Sequence, residues 1–591
     1  MASTQIGTRA IALVGPAGAG KTTLAEALLH ASGTTTRQGS VEAGTSIGDS
    51  SPEARARGGS TELNLMHFDY LDDHFVLLDT PGSAGFFADG LAAVASADMA
   101  IVVVDPDPAR AALVEPVLRR LDALGLPHII FVNRIDQAKG RIRDLLAALQ
   151  PMSREPLLAR QIPIREGGQI SGFIDLALER AYRYVPGKPS EAVDIPADLA
   201  EREASERFHM LETLADHDDA LLEQLLSDTP PDLATVLDDL RAETRANLVV
   251  PVLFGSAING FGIRRLLKLL RHEAPAPADA AKRLGVDAGG VHVFKIANGG
   301  AVGRLALARV LGAGLSEGGE VAGPEGPIRI GALFTLQGDK TAKVASADAG
   351  SVVAIAKADA AHAGMLLGAQ GGASTCAIDL PPRNAAIAIT TRDRKDDVKL
   401  STALHKLVEE DPALSWTQND DSHETVLHGV NDEHLAVTLA RLKRRYGVDV
   451  VTHPPRIAYR ESIRKTVTQR GRHKKQSGGH GQFGDVVIEV RPLARGEGFR
   501  FDDRISGGVV PKQWIPAVEA GVCDAMQRGP LGFPVVDVEV TLVDGSYHSV
   551  DSSEIAFRTA GRIAMSEALS QCAPYLLEPV WQLTVAAPPG T

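Results

Sequence analysis

The sequence predicts a multidomain protein of mixed α/β and α+β class. Three observations carry that prediction. In the first third, short apolar runs alternate with amphipathic helical stretches, the pattern of a mainly parallel sheet covered on both faces. Residues 286–372 break into short strands separated by glycines, with no good helix, which predicts a small β-barrel. Residues 383–453 read β-α-β-β-α-β, the split ferredoxin-like order.

The elements follow in order. RAIALVG (9–15) is a strand and KTTLAEALLHAS (21–32) a helix. HFVLLDT (74–80), MAIVVVD (99–105) and PHIIFVN (127–133) are strands, with a helix at 109–125 between the last two. Residues 155–250 read as an insertion: a short β piece, then helices rich in Glu, Asp and Leu, before the sheet resumes at NLVVPVLFGSA (247–257). In the ferredoxin-like unit, NDEHLAVTLARLKRRYG is a helix with Leu435, Leu439, Leu442 and Tyr446 on one face. Residues 460–575 form another α+β unit, with helices at 514–529 and 553–570 and a strand at 536–542. A last strand, VWQLTVA (580–586), starts just before the sequence stops.

The composition is globular. Of 591 residues, 44% are apolar and 23% charged, enough for the three to five domains expected at roughly 100–200 residues each. The 58 glycines and 34 prolines fall short of a low-complexity chain. Cys376, Cys523 and Cys572 are far apart and show no CxxC spacing, which argues against a disulfide scaffold or a cysteine zinc site and fits a reducing compartment. No apolar run approaches the ~18–20 residues of a membrane span. A soluble, cytoplasmic protein with no membrane partner is expected. The net charge of −13 disfavours nucleic acid as a partner on average. Residues 456–475 are the exception, with eight basic side chains against Glu461. Such a stretch is either a solvated face or an arm that contacts phosphates.

GPAGAGKT (15–22) follows a strand and opens a helix, the context that makes G-x-x-x-x-G-K-[ST] a strong phosphate-binding signal. Gly15, Gly18 and Gly20 let backbone N–H groups close on phosphates, with Thr23 in the first helical turn. Lys21 is expected to reach the β- and γ-phosphates and Thr22 to ligate Mg²⁺. DTPG (79–82) ends another strand: Asp79 holds Mg²⁺ through water and the Gly82 amide senses the γ-phosphate. NRID (133–136) ends a third. Asn133 and Asp136 read guanine, Asp136 accepting from N1–H and the 2-amino group together, which selects GTP over ATP. In GSA (255–257), the backbone amides of Ser256 and Ala257 are expected on the guanine carbonyl oxygen.

The set GPAGAGKTT, DTPG, NRID and PVLFGSA resembles a translational GTPase, and the rest of the chain resembles elongation factor G. The similarity runs through QIPI and GFIDL, EEDPALSW and LARLKRRYGVDV. It is densest in QSGGHGQFGDV (476–486), GGVVPKQWIPAV (507–518) and GPLGFPVVDVEVTLVDGSYHSVDSSEIAF (529–557). The resemblance implies a GTP-binding domain over 1–282, a β-barrel over 286–375, a ferredoxin-like domain over 381–455 and a fourth, tip-bearing domain over 456–577. Residues 578–591 would be the first strand of a truncated or missing fifth domain. It also implies a monomer that binds the ribosome and moves tRNA and mRNA. The fourth-domain tip, with Gln482, Lys512 and His548, would enter the decoding region, and the basic stretch at 456–475 would contact RNA.

Several positions depart from the family pattern. Ser83 stands where the family has the histidine that positions the attacking water. Gly18 replaces an aspartate, and Arg134 replaces the lysine of NKxD, where it can stack on guanine as the lysine stem does. In the first switch stretch (49–61), which ends ARARGGST, Ser60 takes the place of the magnesium-binding threonine, with Thr61 one residue on. The changes cluster on hydrolysis and leave nucleotide binding intact. They predict a translocation GTPase with weakened hydrolysis. The other reading is a GTP-switched ribosome-binding factor with little or no GTPase activity, acting in recycling, rescue or antibiotic protection.

Overall fold

Strand β1 (Arg9–Val14) is buried at every residue, as a strand covered by helices on both sheet faces must be. It lies within a seven-stranded sheet with β2 (Asn64–Tyr70), β3 (Asp73–Asp79), β4 (Met99–Val104), β5 (His128–Val132), β6 (Leu157–Ala159) and β7 (Val250–Phe254). The order is β2-β3-β1-β4-β5-β7-β6, parallel except for the β2–β3 hairpin. After β3 the chain crosses to β4 on the other side of β1, so the carboxyl ends of these strands frame a crevice, the usual ligand position in open α/β sheets. Helix α1 (Lys21–Ala31) starts there, after Gly20 turns the backbone left-handed at φ 92°.

The computed structural model describes residues 7–227, 229–286, 290–298, 302–323, 326–368, 374–375, 379–419, 422, 424–475, 481–580 and 582–585. They fall into two units: Met1–Trp416 with Leu427–Thr452, and Thr417–Val426 with His453–Thr591.

In the first unit, the insertion is a four-stranded antiparallel sheet followed by helices at Ala200–Ala215, Asp219–Leu226 and Leu233–Ala246, around their own apolar core. It begins later than the expected residue 155, because β6 pairs parallel with β7 and belongs to the main sheet. Among the described residues, the β-rich stretch forms an antiparallel sheet of seven strands and two small two-stranded ladders wrapped round Val291, Val293, Val310, Leu333 and Val353. It is locked to the sheet domain by Arg309, which donates to Asp98 (2.6 Å) and to the Thr8 carbonyl (3.1 Å). Asp98 Oδ2 also accepts from the Ala10 amide (2.6 Å), so one oxygen of this buried carboxylate carries both contacts while Oδ1 has no partner. Next along the chain come strand Ala385–Thr391, helix α2 (Asp397–Glu410), strands Ser415–Asn419 and Glu424–Gly429, helix α3 (Asp432–Tyr446) and strand Val450–His453, the expected β-α-β-β-α-β, with Thr417–Val426 and His453 counted in the second unit. Asn431 caps α3, its side chain accepting from the His434 amide at 2.9 Å.

In the second unit, strands Val467–Lys475, Gln482–Pro492, Phe499–Asp503 and Val538–Ser546 form one sheet. Helices α4 (Ile515–Met526) and α5 (Glu554–Gln571) complete its core with Val486, Ile488, Val540 and Phe557. The strand expected at 580–586 does not form: residues 580 and 582–585 are irregular, and the others lie outside the described residues. A strand needs a partner ladder, and among the described strands none pairs with this segment.

Candidate nucleotide site

The glycine loop has the shape its sequence predicts, for steric reasons. A Cβ on Gly15 (φ 136°) would strike the Val103 carbonyl, and one on Gly20 would lie 2.5 Å from Asn133 Nδ2. Gly18 is also left-handed, at φ 76°. Lys21 Nζ donates to the carbonyls of Gly15 (2.9 Å) and Pro16 (3.1 Å), and burial pushes its pKa down. A dry ammonium held by two carbonyls is primed to take a phosphate as a stronger partner. Gly82 packs so closely that an added Cβ would meet Lys21 Nζ and the Ala17 amide (2.8 Å). Ala17, Gly18, Gly20, Lys21 and Gly82 border a cavity of about 390 Å³, lined also by Thr22, Thr23, Asp49, Arg57, Ser60, Ser83, Phe86, Arg134 and Glu433.

Beside the glycine loop, Asn133 joins three segments. Its Nδ2 donates to the Ala19 carbonyl (2.9 Å) and its Oδ1 accepts from the Ala257 amide (2.9 Å). Asp136 Oδ1 is buried and has no hydrogen-bond partner in the protein, which fits a carboxylate waiting for ligand donors. Arg134 is left-handed (φ 56°) and reaches Asp105 at 3.4 Å, an acceptor it shares with Arg110 (3.1 Å). In GSA both amides expected on the base have partners within the protein. Ala257 gives its amide to Asn133, and the Ser256 amide donates to the Phe261 carbonyl (3.0 Å). Closing the β7 turn uses the donors that were assigned to the base.

Around Thr22 the structure adds a residue that sequence reasoning missed. Thr22 Oγ1 donates to Asp79 Oδ2 (2.7 Å) and lies 3.3 Å from Asp49 Oδ2 and 3.2 Å from Ser60 Oγ. Ser60 donates to Asp49 at 3.0 Å. Asn64 Nδ2 orients Asp49 at 2.8 Å. Asp49 sits left-handed in an irregular loop, and no local motif marks it. Burial, with Asp49 alongside, pushes the Asp79 carboxyl up to about 7, and its Oδ1 is unpartnered. Two carboxylates and two hydroxyls with one orphan oxygen fit a small divalent cation with hard oxygen ligands, such as Mg²⁺. Thr61 does not join them. It is buried, and its carbonyl and Oγ1 accept from Arg441 (3.0 and 3.1 Å). Of the two expected ligands, Ser60 faces the site, because Arg441 pins Thr61 the other way.

Helix α3 supplies this grip and more. Arg444 holds Glu53 with two hydrogen bonds (2.7 and 2.8 Å), and Arg445 reaches Glu62 (3.4 Å). Glu433, in the first turn of α3, accepts from Ser83 Oγ at 3.3 Å and forms an ion pair with Arg57. The Arg57 guanidinium also lies over the Phe86 ring (5.3 Å), which meets the His434 ring edge-on at 5.7 Å. His434 is braced in turn by Asp411 (2.8 Å). Segments 53–62 and 82–86, which contribute Arg57, Ser60, Gly82, Ser83 and Phe86 to the cavity lining, are therefore fastened to one helix some 350 residues away in sequence.

The second unit gathers the expected tip positions at one end of its sheet. The Phe483 amide donates to the Asp551 carbonyl (2.8 Å), and Asp551 accepts from the Gly481 amide (3.0 Å) and pairs with His548 (3.2 Å). Trp514, two residues after Lys512, meets Tyr547 edge-on at 6.0 Å. Gln482 lies 3.0 Å from His473. Residues 476–480 of the first loop lie outside the described residues. On the outer strand, Arg470, Arg472 and Lys474 share one exposed face, Arg470 paired with Asp485 and Arg472 lying over Phe483.

Comparison with known proteins gives three family matches: Elongation factor Tu GTP binding domain over residues 7–276, Elongation Factor G, domain III over 380–454, and Elongation factor G, domain IV over 455–573. An elongation factor G-like protein of Synechocystis sp. is 42% identical over 98% of this chain and 87% of its own. An elongation factor G of Fervidobacterium nodosum is 33% identical with the same coverage. A crystal structure of a Thermus thermophilus protein superposes with a TM-score of 0.82 at 34% identity, over 96% of this chain and 85% of that one.

Proposed function

The chain belongs to the elongation factor G family of translational GTPases, and from that premise we propose that it is a GTP- and Mg²⁺-binding factor that acts on the ribosome in tRNA–mRNA translocation, with weakened hydrolysis. The observation that carries the nucleotide half is the orphan Asp136 Oδ1 beside an Asn133 already fixed to the glycine loop. A bound Mg²⁺ would be held by Thr22, Ser60 and Asp79 with Asp49, and would neutralise charge developing on the β- and γ-phosphates. Lys21 binds the same phosphates. Asp136 orients guanine, and Arg134 covers it. The ribosomal half rests on the family and on the fourth-domain end that carries Gln482, Lys512 and His548.

A second reading has its own observation. Ser83 Oγ is turned toward Glu433 and is shorter than an imidazole, so the factor could work as a GTP-dependent binding switch with little turnover. Phosphate release from GTP, with and without ribosomes, decides between them. The translocase reading expects ribosome-stimulated turnover in the native protein, raised further by Ser83→His. The switch reading expects turnover in the Ser83→His variant alone.

A further inference from the structure

We propose that Glu433 is a positioning residue for GTP hydrolysis, taking up through Ser83 the task of the absent histidine. The inference rests on the GTP-binding reading above. Ser83 Oγ donates its proton to Glu433 Oε2 at 3.3 Å, so the oxygen lone pairs remain free to accept. Ser83, Gly82, Lys21 and Glu433 line the same cavity. A water there can donate to Ser83 Oγ and turn its own lone pair toward the γ-phosphorus. The water oxygen forms the new P–O bond as the bond to the β–γ bridging oxygen breaks. That oxygen keeps the electron pair and leaves on GDP, and the water proton departs with inorganic phosphate. Glu433 takes no proton; it fixes the direction of a hydroxyl.

A carboxylate near a γ-phosphate would be repulsive if bare. Here Arg57 neutralises it, and Arg57 is held in turn over Phe86. Glu433 is also not free to drift. The Asn431 cap fixes the start of α3, and Arg441 and Arg444 anchor its later turns to Thr61 and Glu53. Hydrolysis is thereby made dependent on α3 standing against residues 82–86. The third domain becomes part of the active site.

The test is a double-mutant cycle on the full chain with ribosomes. Single-turnover GTP hydrolysis and GTP affinity are measured for wild type, Ser83→Ala, Glu433→Leu and the double variant. Each single variant should lose about 100-fold in kcat, the scale of a misplaced reactant. The double variant should lose no more than either, because Glu433 acts only through Ser83. GTP affinity should stay within about threefold, well under the change in rate. A wild-type or raised kcat in either single variant overturns the proposal. So do additive losses in the double variant, parallel losses of rate and affinity, or a wild-type protein that binds GTP and never hydrolyses it. A wild-type protein that fails to bind GTP overturns the nucleotide reading itself.

Discussion

Asp136 and Asn133 lie three residues apart and have separate tasks. Asn133 is spent on the protein, tying β5 to the glycine loop and to β7. Asp136 faces inward with an unpartnered oxygen. Charged hydrogen bonds contribute about 1.5–3 kcal/mol each, so Asp136→Asn should weaken GTP binding roughly 100-fold. The asparagine amide donates where the carboxylate accepted, so the variant should gain affinity for xanthosine triphosphate; competition titration against a fluorescent nucleotide measures both. His292 gives a second prediction at this scale. It is fully buried, neither ring nitrogen has a partner, and burial, aided by Arg283, pushes its pKa down to about 4. The unfolded chain protonates near 6.5, so between 6.5 and 4 it holds the extra proton and stability falls as pH falls. From pH 7 to pH 5 the cost is about 2 kcal/mol. In urea denaturation, His292→Leu should lose about that much less than wild type over the same interval.

Helix α3 ties sequence to function at the scale of an element. Arg441→Ala with Arg444→Ala removes its hold on Thr61 and Glu53. Residues 50–62 should then open more often, and limited trypsin digestion at Arg55 and Arg57 should quicken by about tenfold. In the second unit, α4 and α5 touch at glycines: a Cβ on Gly521 would collide with the Arg558 carbonyl, and one on Gly561 would lie 2.6 Å from the Val518 carbonyl. Gly521→Ala should cost that unit about 1–3 kcal/mol in chemical denaturation. The glycine loop, DTPG and NRID were legible in the sequence because each is a contiguous run whose geometry is local. The β-α-β-β-α-β order was legible because periodicity is local too. Asp49 was not, since one acidic residue in a Gly/Ser loop carries no pattern. Glu433 was not, because its meaning arises from Ser83 and Arg57 across the fold. Thr61 and Ser60 looked interchangeable until Arg441 separated them.

Taken as a whole, the molecule carries a net charge of −13 yet presents a basic strand at 467–475. An acidic factor bound to RNA through such a strand should lose affinity steeply with added salt. Family membership makes the ribosome the place to look, and the nucleotide site makes GTP the control. The most direct measurement is co-sedimentation with 70S ribosomes in the presence of a non-hydrolysable GTP analogue, GDP or no nucleotide. The account predicts pelleting with the analogue and at least about tenfold weaker binding with GDP, a coupling of roughly 1.4 kcal/mol or more. Equal pelleting in all three conditions, or none in any, would contradict it.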